Sequence, residues 1–73
     1  MTHEEAVHNK RSVYNHLGKW FRRKTGSKRT WRLVNIKIIS NGISYNLEMV
    51  LRDDGEELIK TLEEFKQNYE EAE

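Results

Sequence analysis

The chain has 73 residues, with 13 Lys and Arg against 12 Asp and Glu, and neither cysteine nor proline. That length supports one domain, 1–73, near the lower end of what folds without staples, and the missing cysteines exclude disulfides and thiolate metal sites. No apolar run approaches the ~20 residues of a membrane helix, and "MTHEEAVHNK" has no signal-peptide core, so a cytoplasmic protein is expected.

The net charge of +1 conceals a segregation. From Ala6 to Asn46 there is no acidic residue, whereas most of the acidic residues follow Leu47. Such asymmetry points either to a polyanionic partner or to two halves that neutralise each other, within the fold or between subunits.

In chain order, Thr2 and Glu5 have the spacing of a capping box, which predicts a helix over 3–18. Ala6, Val7, Val13, Tyr14 and Leu17 share its apolar face, with Lys10 the exception, and Gly18 suits its end. Four strand-like segments follow over 20–61, an antiparallel meander broken by three turn signals: "TGS" at Thr25 to Ser27, "NG" at Asn41-Gly42 and "DG" at Asp54-Gly55.

Two-residue turns at the last two fix a register. Ile38 then faces Tyr45, Ile36 faces Leu47, Val34 faces Met49 and Leu51 faces Leu58, all on one core face. Trp20 falls on that face too. The same register gives the other side an apolar patch in which Leu33 meets Val50, Val50 meets Ile59 and Trp31 meets Arg52. A three-residue loop at "TGS" adds Phe21 opposite Trp31 and Arg23 opposite Arg29. A second capping box, Thr61 to Glu64, opens a helix over 62–71, so two helices are available for two apolar faces. The fold class is α+β: N-terminal helix, four-stranded antiparallel meander, C-terminal helix.

Most candidate chemistry fails on spacing. His3, His8 and His16 are not separated by the i, i+4 step that places two imidazoles on one metal, and "DDGEE" lacks the alternating ligands of a calcium loop. The acidic residues sit in a turn and along a helix, not in a cleft that perturbs their pKa values, and no serine has a triad-like partner set. A non-enzyme with no cofactor and no metal is expected.

The basic-aromatic stretch "WFRRKTGSKRTW" remains. Lysine and arginine bind phosphate through charge and counterion release, and aromatic faces stack bases. The candidate nucleic-acid-binding residues are Phe21, Arg22, Arg23, Lys24, Lys28, Arg29, Trp31, Lys37 and Arg52.

The segment "WRLVNIKIISNGISYNLEMVLRDDGEELIKTLEEFKQNYE" resembles small SH3-like and Tudor-like β-barrel modules of bacterial and phage proteins. The features that carry this are consecutive short strands, the "G-x-x-Y" opening at Gly42 to Tyr45, the "DG" hairpin and the closing "LEEF" of Leu62 to Phe65. The resemblance implies a partly open barrel and a binding module, with nucleic acid held on a basic sheet face carrying an aromatic such as Trp31. Five strands are usual there, and four are found here. The expected partner is DNA or RNA, bound with low sequence specificity. The alternative is a phage-type adaptor or inhibitor of a host protein, and a homodimer joining basic to acidic halves is compatible with either.

Overall fold

The computed structural model describes residues 1–72, and Glu73 lies outside them. The architecture is α+β: helix α1 (His3–Val13), strands β1 (Trp20–Arg23), β2 (Thr30–Ser40), β3 (Tyr45–Asp53) and β4 (Glu56–Thr61), helix α2 (Leu62–Asn68) and strand β5 (Tyr69–Glu71). One open antiparallel sheet has the order β4-β3-β2-β1-β5. No helix among the described residues is long and apolar enough to cross a membrane.

Both capping boxes form. The Thr2 hydroxyl accepts from the Glu5 N–H at 3.1 Å while the Glu5 carboxylate accepts from the Thr2 N–H, and Thr61 and Glu64 repeat the arrangement. Those hydrogen bonds to Thr2 hold the Glu5 carboxyl below its ordinary pKa. The first helix is shorter than the expected 3–18: a 3-10 turn at Tyr14–His16 succeeds it, and Tyr14 is exposed. The second helix stops at Asn68 instead of reaching 71. Tyr69–Glu71 are extended and pair with β1, so the sheet has five strands where the sequence showed four.

The Asp54-Gly55 turn has positive φ at both central residues, and Leu51 pairs with Leu58 as expected. At Asn41-Gly42 the loop is longer. Asn41 keeps negative φ and its side-chain oxygen accepts the N–H groups of Ile43 and Ser44, so Ser40 pairs with Tyr45 across a loop of Asn41 to Ser44. This moves the register by two residues, pairing Ile38 with Leu47 and Ile36 with Met49. A shift of two keeps every side chain on its face.

A β-bulge between Leu33 and Asn35 does change faces. Leu33 pairs with Leu51 and is fully buried, while Val34 is 40% exposed, the reverse of the expected assignment. Beyond the bulge, Trp31 and its partner Phe21 follow Leu33 onto the core side, and Trp20 goes to the other side. Asn35, whose side chain accepts the N–H of Ile36, is the polar residue beside this irregularity.

The core is one cluster. Ala6 and Val13 of α1 and Leu62 and Phe65 of α2 join Phe21, Leu33, Ile36, Leu47, Met49, Leu51 and Tyr69. Both helices therefore cover the same face of the sheet, and the expected division of two helices between two faces does not occur. The opposite face leaves Trp20, Ile39 and Ile59 exposed.

Candidate nucleic-acid interface

The bulge and the fifth strand redistribute the candidate residues. Phe21 is 4% exposed, packed edge-on to Phe65 at 4.8 Å and to His16 at 5.7 Å, so its ring is a core element and not a contact surface. Arg22 bonds the Glu70 carboxylate at 3.0 Å across the β1–β5 pair. Arg52 bonds Glu57 at 2.8 Å, and Lys37 stands opposite Glu48; both lie on the uncovered sheet face, the side opposite Phe21, Arg23 and Trp31. The β1–β2 register is the expected one, with Phe21 opposite Trp31 and Arg22 opposite Thr30, and it continues toward Arg23 and Arg29; on its other side Arg23 pairs with Tyr69 of β5.

Arg29 acts as a clamp between two turns. Its Nε donates to Asp53 at 2.8 Å and its Nη1 to Glu56 at 3.3 Å, and its guanidinium carbon lies 4.2 Å above the centre of the Trp31 ring. The hydrogen bonds to Asp53 and then Glu56 raise its pKa above the ordinary arginine value, so it stays cationic throughout. Each contact is worth little alone at the surface, but together they fix the indole and join the β1–β2 loop to the β3–β4 hairpin. Apart from Arg52–Glu57, the ion pairs link the basic half of the sequence to the acidic half. A share of the charge segregation is therefore neutralised inside the molecule.

What remains together is a tip and a cleft. Arg22, Arg23, Lys24 and Lys28 surround the β1–β2 loop, with Lys24 donating to the carbonyl of Lys66 at 3.2 Å. Behind it, the sheet curls until β4 and β5 line one cleft of about 340 Å³, where Arg23, Arg29 and Lys60 meet Trp31 and Tyr69. Arg23 and Ser27 belong to both recesses, and no carboxylate lines the cleft. Among the described residues, Arg23, Lys24, Lys28 and Lys60 make no ion pair.

Lys60, Ser27, Asn68 and Tyr69 were not among the expected site residues. The register across Asp54-Gly55 carried a signal for Lys60, because it sets a cation at an inward position opposite Met49. Tyr69 had none, since it continues the helical spacing of Leu62 and Phe65. Among the described residues no three of His, Asp and Glu converge as metal ligands would. No known protein family, curated protein or solved structure matches this chain.

Proposed function

We propose that this chain is a non-enzymatic binding module that holds DNA or RNA with low sequence specificity. The observation that carries this reading is the run of cations from Lys24 and Lys28 at the loop tip through Arg23 into a cleft without carboxylates. Phosphate contacts of that kind position a nucleic acid without reading its bases. The fold is proposed to be SH3-like: the fifth strand supplies the number usual in such barrels, and the sheet's curl brings its two edges toward each other.

Three phosphate contacts, from Arg23, Lys24 and Lys28, give affinity that falls roughly 20–40-fold between about 50 and 200 mM salt. Gel shift with mixed DNA and RNA at those two concentrations measures it. The double variant Lys24→Gln/Lys28→Gln should flatten the logarithmic salt slope by about 1.4–1.8. Absence of binding at both concentrations would end the proposal.

A second reading, a phage-type adaptor or inhibitor of a host protein, draws on the sheet face that neither helix covers. Trp20 is 42% exposed there, with Val34 and Ile59 also exposed and Arg32 directly opposite Arg52. An exposed aromatic rimmed by arginines is the composition of an interface hot spot. Under this reading a nuclease-treated capture retains a stoichiometric partner that Trp20→Ala loses and Lys24→Gln/Lys28→Gln keeps. The opposite pattern returns the function to the basic tip.

A further inference from the structure

Lys60 occupies an inward position on β4, half-buried, and no described carboxylate pairs with it. Arg23, at the end of β1, lines the same cleft; it is exposed and likewise has no described carboxylate partner. Two like charges in a partly desolvated recess repel each other, and an anion between them relieves both. Ser27 and Asn68 line the same recess and add neutral hydrogen-bonding groups. A guanidinium offers a planar fork and an ammonium a mobile point charge, and together they suit a phosphate better than a single carboxylate.

The aromatic side of the cleft is equally prepared. Trp31 is half-buried and carries the Arg29 guanidinium on its ring, and Asp53 and Glu56 hold that guanidinium in place. A base can pack against such a held cation–ring pair with little ordering left to do, since bases stack on arginine planes as well as on rings. At about 340 Å³ the cleft falls in the size range of small-molecule sites.

We infer that the cleft is a nucleotide subsite, in which Arg23 and Lys60 hold a phosphate and the Trp31–Arg29 pair receives the attached base. The inference rests on the nucleic-acid reading and deepens it: the tip follows the backbone, and the cleft seats one nucleotide of the strand.

The test is an amide and indole NMR titration of the full chain with uridine 5′-monophosphate, uridine and inorganic phosphate, beside a short single-stranded oligonucleotide. The monophosphate should shift the Trp31 indole N–H and the amides of Ser27 and Lys60, and uridine at the same concentration should not. Lys60→Gln should weaken the monophosphate about tenfold or more, the loss of one charge-assisted contact. Lys60→Arg should restore it, and Lys24→Gln/Lys28→Gln should leave it within about twofold. The oligonucleotide should be weakened by both sets.

If the oligonucleotide binds while the monophosphate leaves Trp31 unmoved, or if Lys60→Gln changes nothing, the subsite is overturned and the tip reading survives. Inorganic phosphate matching the monophosphate overturns the base seat. Failure of the oligonucleotide itself counts against the nucleic-acid reading.

Discussion

Leu33→Ala should cost about 2–5 kcal/mol of folding stability, and Val34→Ala at most about 1. The two residues are neighbours in one strand, and a register without the bulge would reverse the order. Leu33 is fully buried opposite Leu51, so truncation leaves a cavity among Leu51, Phe21 and the helix residues that share its cluster. Val34 stands 40% exposed at the bulge, and its truncation removes little packing. A domain of this size is stable by roughly 4–11 kcal/mol at about 0.05–0.15 kcal/mol per residue, so Leu33→Ala takes a large share of the total. Urea denaturation of both variants decides the matter. Equal costs, or a larger one at Val34, would refute the bulge and with it the placement of Trp31.

Phe21→Ala should be as severe, about 3–5 kcal/mol. The ring buries its area between β1 and α2, and its edge-on contacts with Phe65 and His16 add to that. The sequence pattern alone placed Phe21 on a surface where it would stack a base. The two roles separate cleanly in Phe21→Leu, which keeps most of the apolar volume. As a core residue, Phe21 in that variant loses some stability and leaves oligonucleotide affinity at its original value at a temperature where the chain is folded. If affinity fell while the denaturation midpoint stayed put, the ring would be a contact after all.

The misplacement of Phe21 and Trp31 came from one residue. Alternation with a period of two carries face assignments along a strand, and an unseen bulge inverts all of them beyond it. The error at Asn41-Gly42 had no such consequence, because a loop longer by two residues preserves parity. Asn35 beside the bulge was the available hint, a polar side chain able to compete for backbone hydrogen bonds. The basic stretch itself was legible, but which of its charges stay unpaired was not. Glu70 and Glu71 look like the tail of a helix in the sequence, and only as part of β5 do they reach Arg22 and Lys19.

The amino-acid order by itself determined where both helices start, because each capping box is closed by residues three apart. It determined the Asp54-Gly55 hairpin for the same reason: positive φ at adjacent positions is a local demand met by local residues. Tertiary structure decided the fifth strand, the gathering of both helices on one face, and the cleft joining Arg23 to Lys60 and Trp31. Those features depend on pairings between residues dozens of positions apart, where burial of one shared core outweighs the helical spacing that Tyr69 displays along the chain.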